Sequence, residues 1–106
     1  MKRYAVIFVT YPDKKSAARI SDIIVKSKLA ACANLIKGLK SIYWWKGKIE
    51  SASETLAIYK TRASLTGKLT SAVKKLHPYE VPEIISLPIT SGNPDYLKWI
   101  DKSVNK

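Results

Sequence analysis

The order in which strand-like and helix-like hydrophobic patterns follow one another constrains the fold of this chain more than any other feature. Residues 3–10 are apolar or β-branched at nearly every position, as in a strand covered on both faces. Residues 14–29 carry apolar side chains at helical spacing, and Asp13 is placed as the N-cap. Two strands follow at residues 31–36 with 39–45 and 49–61, joined by a predicted two-residue turn at Lys46-Gly47. A helix at 64–76, a strand at 82–89 and a helix with Asn93 as its predicted N-cap complete the chain. The order βαββαβ predicts an α+β, ferredoxin-like sandwich with an antiparallel sheet, plus a C-terminal helix.

The first strand carries apolar side chains toward both faces of the predicted sheet. Tyr4, Val6 and Phe8 alternate with Ala5, Ile7 and Val9. Two helices can cover only one face, and one short C-terminal helix is too small to cover the whole of the other. An exposed apolar face of this kind usually marks an interface. We therefore expect the chain to associate with copies of itself.

Length and composition set the class of protein. The 106 residues fit a single domain, 1–106, and no apolar run approaches the ~20 residues of a membrane-spanning helix. The single cysteine, Cys32, lies in an alanine-rich run, where a small buried hydrophobe is expected. One cysteine excludes an intrachain disulfide and agrees with a cytoplasmic location. Excess lysine and the absence of glutamine are typical of thermostable proteins.

The net charge of +11 raises the alternative of an RNA-binding module, because RRM domains share the order βαββαβ. The third strand, however, lacks the Lys/Arg-Gly-aromatic pattern by which an RRM stacks bases, so nucleic acid is not the favoured partner. An acylphosphatase-like enzyme would need a glycine-rich, phosphate-binding loop after the first strand, and residues 11–15 are Tyr-Pro-Asp-Lys-Lys. We therefore predict a protein without catalytic residues.

Several segments together carry a resemblance that spans nearly the whole chain. They are Ala30-Ala31-Cys32-Ala33-Asn34, the run from Ser41 to Glu50 (SIYWWKGKIE), Lys60-Thr61, the run from His77 to Glu83 (HPYEVPE), and the run from Gly92 to Ile100 (GNPDYLKWI). In order and spacing the chain resembles the CutA divalent-ion-tolerance family. The resemblance implies a tight homotrimer, similar in architecture to PII signalling proteins. It also implies a cytoplasmic role in tolerance of divalent metals, copper in particular, without an established reaction.

The chain departs from the family at a candidate metal set. Some members carry a cysteine in the first strand and two adjacent histidines before the Pro-Tyr pair, where this chain has Val9, Leu76 and His77. His77 is the remaining candidate ligand for copper or another divalent cation, with Glu83 or Glu80 as an oxygen partner. The alternative is that its imidazole caps the last carbonyls of the second helix. Loss of the cysteine weakens the case for copper, because soft Cu(I) prefers thiolate ligands.

A second candidate site is a cleft between subunits. Charged residues among apolar strand positions must find partners if an interface buries them, and aromatic residues are enriched at interfaces. The predicted cleft residues are Tyr11, Asp13, Trp44, Glu50, Glu54, Lys60 and Tyr79. The alternatives are a structural ion pair between Lys60 and a neighbour's Glu50 or Glu54, and a cleft that binds a small anion or a metal. A stable trimeric scaffold or a PII-like sensor of a small ligand also remains open.

Overall fold

The structure is a computed structural model that describes residues 3–105. Its elements are β1 (Tyr4–Tyr11), α1 (Lys14–Lys26), β2 (Cys32–Trp45), β3 (Lys48–Arg62), α2 (Thr66–Leu76, after a 3₁₀ turn at Ala63–Leu65), β4 (Ile84–Ile89) and α3 (Pro94–Ser103). All strand pairs are antiparallel, in the order β2-β3-β1-β4. The predicted α+β, ferredoxin-like fold is confirmed. Among residues 3–105, no helix is both long enough and apolar enough to cross a membrane.

Short-range signals set the ends of the helices. The Asp13 carboxylate accepts a hydrogen bond of 2.7 Å from the backbone N–H of Ser16, and Asn93 accepts one of 2.9 Å from the N–H of Asp95. Both residues are therefore the predicted N-caps. α1 ends at Lys26, earlier than the predicted residue 29, because Lys28 adopts the left-handed region with φ of 59°.

The core lies between one face of the sheet and the helices α1 and α2. From Tyr4 to Val9 every second side chain of β1 is buried, and antiparallel pairing places each of them opposite a buried side chain of β3, as in Ile7 with Tyr59. The buried residues that join this layer from β1, α1 and α2 are Val9, Ala17, Ile20, Ile24, Leu69 and Val73. We call this side of the sheet the helix face.

The opposite side, which we call the open face, keeps the apolar surface expected from the sequence. Phe8 lies between Ile58 and Ile85 in the register of the sheet, and Val6 lies beside Leu87. Ile85 is 50% exposed and Leu87 43% exposed. Helix α3 covers the end of this face where β1 begins, since Asp101 accepts a 2.6 Å hydrogen bond from the Tyr4 hydroxyl. The middle of the face therefore has no cover within the described chain.

Strands β2 and β3 continue beyond the sheet as a hairpin arm, residues 39–54, which elongates the molecule to 44 × 25 × 23 Å. The arm turns at Lys46 and Gly47, whose φ values of 50° and 79° are those of a type I′ turn. The predicted two-residue turn is confirmed. A β-bulge lies at the base of the arm, where Ile36 pairs with Leu56 but Leu39 pairs with Glu54, so β2 contains one extra residue.

Candidate functional site

A cleft of about 730 Å³ opens at the base of the hairpin arm. Residues of the arm form one wall, and the loop from Pro78 to Glu83 between α2 and β4 forms the other. The lining residues are Thr10, Ser41, Ile42, Tyr43, Trp44, Trp45, Glu54, Pro78, Tyr79, Glu80, Val81 and Glu83. We call this space the arm cleft.

The bulge decides which aromatic side chains accompany Glu54. Directly paired residues of antiparallel strands project to the same face, and Leu39 is paired with Glu54. Two-residue alternation then brings Tyr43 and Trp45 to the side of Glu54. Strict alternation from the first part of β2 would have brought Trp44 there instead. Trp44 still contributes to the lining but is 72% exposed at the outer end of the arm.

Glu54 and Tyr79 form the polar centre of the arm cleft. The Tyr79 hydroxyl donates a hydrogen bond of 2.7 Å to Glu54 Oε2. Burial raises the pKa of Tyr79, and the hydrogen bond and negative charge of Glu54 raise it further, so the phenol stays protonated as the donor. Glu54 is only 8% exposed, and within residues 3–105 no lysine or arginine nitrogen lies within 4 Å of it.

The cleft has a charge opposite to that of the chain. In a protein with a net charge of +11, the lining includes the carboxylates Glu54, Glu80 and Glu83 and no lysine or arginine. Asp13 adds negative charge nearby, since its field contributes to the raised pKa of Tyr79. Glu50 is exposed and pairs across the arm with Tyr43. The predicted residues Asp13, Trp44, Glu50, Glu54 and Tyr79 therefore lie in or beside one cleft.

His77 lies behind this cleft as a link between two backbone segments. Its Nε2 donates to the carbonyl of Thr10 at 2.8 Å, and its Nδ1 accepts from the N–H of Tyr79 at 3.0 Å. Burial lowers the pKa of His77, the Thr10 hydrogen bond opposing this, and the ring is neutral. The imidazole thus joins β1 to the 78–83 loop. The alternative interpretation, in which the imidazole caps the last carbonyls of α2, is therefore wrong.

The structure does not bring Tyr11 or Lys60 to the cleft. Tyr11 is fully buried, its hydroxyl 2.6 Å from that of Tyr59 and its ring stacked on His77 at 4.8 Å. It projects to the helix face, so the prediction that it lines the cleft is corrected. Lys60 pairs with Cys32 at the opposite end of β3 and donates to Asn34 Oδ1. Six residues of strand, roughly 20 Å, separate it from Glu54 of the same subunit.

A divalent metal ion needs several ligands that converge on one point, and residues 3–105 of a single chain do not supply them. Residues 3–105 contain no group of three His, Cys, Asp or Glu side chains arranged to hold an ion. Both nitrogens of His77 already have partners, so His77 does not fit the role of a ligand. Glu80 and Glu83 line the arm cleft as carboxylates without a third ligand beside them. The described residues of a single chain therefore do not fit a preformed metal centre.

Tyr43, Trp45 and Ser41 belong to the cleft although the predicted set omitted them. The signals for them in the sequence are the aromatic run Tyr43-Trp44-Trp45 and Gly38, whose φ of 81° permits the bulge that turns their side of β2 toward Glu54. A glycine within a strand marks such bulges in general. The glycine alone does not show whether the extra residue moves the later side chains of the strand to the opposite face.

Comparisons with known proteins agree with this architecture. Residues 5–103 match the family described as CutA1 divalent ion tolerance protein. A divalent-cation tolerance protein CutA from Pyrococcus horikoshii is 43% identical over 101 residues, which cover 95% of this chain and 98% of that protein. The mouse protein CutA is 53% identical over 93 residues, covering 88% of this chain and 52% of the mouse protein.

The structural comparison is equally extensive. The crystal structure of CutA1 from Oryza sativa superimposes with a TM-score of 0.96 at 45% identity, covering 99% of this chain and 96% of that chain. This chain spans about half the length of several curated plant and animal relatives, for example 57% of the rice chloroplastic protein CutA 1. The family match over residues 5–103 and the superposition agree, and the chain belongs to the CutA1 divalent ion tolerance protein family.

Proposed function

We propose that this protein acts in tolerance of divalent metal ions as a non-enzymatic, cytoplasmic homotrimer. The observation that supports self-association is the open face of the sheet. Phe8, Ile58, Ile85 and Leu87 form a continuous apolar surface there, and α3 covers only one end of it. A patch of this kind on a small domain is expected to be covered by a partner.

The hairpin arm supports the same proposal independently. Ile42 is 67% exposed and Trp44 72% exposed, on a two-stranded projection that isolated in water would be only marginally stable. Exposed aromatic and aliphatic side chains of this kind are typical interface anchors. Packing of the arm against a neighbouring subunit would bury them. Three subunits is the number implied by the resemblance to this family.

A divalent cation, copper included, would then be held by residues of more than one subunit. The candidates are the cleft carboxylates, Glu83 foremost, because the nitrogens of His77 have partners within the subunit. Carboxylates favour hard ions over Cu(I), so Cu²⁺ or another divalent ion is the better candidate. A structural ion pair between Lys60 and a neighbour's Glu50 or Glu54 is the competing interpretation, and it would use one of these cleft carboxylates, Glu54.

Light scattering in solution tests the assembly. We expect a mass of three 11.9 kDa chains for the wild-type protein. Ile85→Glu places a charge on the open face at a side chain that is already half-exposed in the subunit, so folding is retained while the mass falls to that of a single chain. Ser71→Glu, on the exposed surface of α2, is the matched control and keeps the assembled mass. A monomeric wild-type protein would contradict the proposal.

Metal content measured on the assembled peak tests the metal half separately. After incubation with Cu²⁺ or Zn²⁺ and desalting, we expect His77→Gln to retain the bound ion and Glu83→Gln to lose most of it. Absence of saturable binding by the wild-type assembly would leave the trimer standing and would exclude direct metal binding. Loss of the ion in His77→Gln with an intact assembly would reverse the assignment of ligands.

The arm cleft favours a second candidate function, a PII-like sensor of a small ligand. Its volume of about 730 Å³ falls in the range of small-molecule sites, and its lining combines aromatic walls with a few polar groups. The RNA-binding alternative receives no such support, because the aromatic residues of the cleft are accompanied by carboxylates. Phosphate groups would be repelled from this surface.

A further inference from the structure

We propose that the arm cleft binds a small organic cation, a primary ammonium group carried on an aromatic or alkyl body. The inference rests on the ligand-sensing candidate function, and a metal ion held by the same carboxylates would compete with the ligand. Four properties of the cleft support it: the sign of its charge, the buried carboxylate at its centre, the aromatic walls and the spacing of the carboxylates.

The sign of the charge selects a cation. Three of the eight acidic residues of the chain line this one cleft, whereas none of its nineteen lysines and arginines does. The basic residues lie elsewhere and create a field that concentrates anions around the rest of the protein. The cleft is thus a local region of negative potential in a positive molecule. A monovalent cation also experiences less long-range repulsion from the net charge of +11 than a polyvalent cation does.

Glu54 supplies the position for the ammonium group. The residue as a whole is 8% exposed, and the hydrogen bond from Tyr79 holds its carboxylate in place. Withdrawing a carboxylate from water is costly unless an opposite charge is brought to it. Within residues 3–105 no basic side chain does so. An ammonium ion bound beside Glu54 would provide that charge and would donate hydrogen bonds to the carboxylate.

The aromatic residues supply a surface for the body of the ligand. Tyr43 and Trp45, on the side of Glu54, line the arm side of the cleft opposite Tyr79. The faces of such rings attract cations, and their apolar area attracts an aryl or alkyl group. A bare metal ion would gain little from these walls. The carboxylates also do not form a group of three that could hold such an ion within residues 3–105, whereas an extended organic cation needs only one close carboxylate.

Isothermal titration of the assembled protein with phenethylammonium chloride tests the proposal. We expect saturable binding that is at least about tenfold weaker in Glu54→Gln, since one charge-assisted contact contributes roughly 1.4 kcal/mol or more. Asp22→Asn, an exposed acidic residue on α1, is the matched control and should bind like the wild type. The neutral analogue 2-phenylethanol should bind at least about tenfold more weakly to the wild type, on the same basis.

Three results would overturn the proposal. The first is equal binding of phenethylammonium and 2-phenylethanol, which would indicate a merely apolar cleft. The second is absence of ammonium binding combined with a lower thermal midpoint of the Glu54→Gln assembly. This combination would indicate that a lysine of a neighbouring copy already occupies the site. The third is displacement by Zn²⁺ with retained binding in Glu54→Gln. Light scattering on the same samples separates each of these from failure of assembly.

Discussion

At the scale of single residues, the role of His77 is structural, because both ring nitrogens are hydrogen-bonded to backbone groups of the chain. Its two nitrogens join the carbonyl at the end of β1 to the first turn of the loop that forms one wall of the arm cleft. Stacking against Tyr11 at 4.8 Å fixes the plane of the ring. Because Tyr79 lies two residues further along this loop, the position of its hydroxyl on Glu54 depends on the imidazole.

Protonation of His77 should destabilise the protein. Burial lowers its pKa below the ordinary value of 6.5, so the unfolded chain binds the proton more strongly than the folded one. The contribution of the neutral ring is complete above about pH 6.5 and is lost as the pH falls through the lower, folded-state pKa. We expect the free energy of unfolding in urea, at fixed protein concentration, to decrease over this window. His77 is the only histidine, so its NMR titration can be assigned directly.

His77→Gln provides the control for this prediction. The variant should lose the decrease in stability below pH 6.5 and should be less stable at pH 8 by about 1–3 kcal/mol, the usual cost of leaving buried groups without partners. An unchanged pH profile in the variant would show that carboxylates carry the effect instead. The acidic shift of Asp13, whose pKa is lowered by the hydrogen bonds from Ser16, affects stability only at lower pH.

At the scale of elements, the turn of the hairpin arm requires a positive φ at Gly47, and substitution tests this requirement. Gly47 has φ of 79° with open space around it, so an added methyl group meets no atom but strains the backbone. Gly47→Ala should lower the free energy of unfolding by about 1 kcal/mol or more. Gly67, in α2, also has open space but no positive φ. Gly67→Ala should therefore leave stability unchanged or raise it by up to about 1 kcal/mol.

Thermal midpoints of the two alanine variants, measured under one set of conditions, check this pair. Both substitutions add the same methyl group, so a difference in direction isolates the backbone conformation. Equal destabilisation by both changes would contradict the turn assignment.

Most elements of this fold can be predicted from the sequence because their signals are local. The caps at Asp13 and Asn93, the Lys46-Gly47 turn and the amphipathic helices depend on neighbours a few residues away. The cleft depends on distant partners. Glu54 and Tyr79 could be named as candidates, yet their contact joins a strand to a loop 25 residues later. The prediction for Tyr11 chose the wrong face for the same reason, since its partner Tyr59 is 48 residues away.

At the scale of the whole molecule, the net charge of +11 per chain opposes the proposed assembly of identical chains. Salt screens this repulsion, with a Debye length of about 10 Å at 0.1 M. We expect the thermal midpoint of the assembly to rise between about 20 mM and about 500 mM NaCl as screening becomes effective. The effect comes from the surface as a whole, because the ion pairs among the described residues are few: Lys26 with Asp22 is exposed, and Asp101 with Arg3 and Arg62 is partly buried.

A double variant, Lys14→Glu with Lys15→Glu, tests the origin of this salt dependence. Each change removes two units, so the net charge falls from +11 to +7. Both positions are exposed in the first turn of α1, where acidic residues are favourable. The slope of the midpoint against salt should become shallower. A midpoint that falls with salt in the wild type would show that attraction between subunits outweighs the repulsion.

The bulge at the base of the arm also makes β2 one residue longer than regular pairing with β3 requires. Lys37 and Gly38 together lie opposite the single residue Thr55. If one of the two were absent, the pairs Ile36 with Leu56 and Leu39 with Glu54 would belong to a regular ladder. Removing one of the two residues would straighten the strand without changing any pair nearer the turn. The chain can therefore shorten there while the Lys46-Gly47 turn keeps its place and Tyr43 keeps its side. Elsewhere in a sheet, deleting a residue shifts the register of the pairs beyond it, whereas a deletion at this bulge would leave that register unchanged.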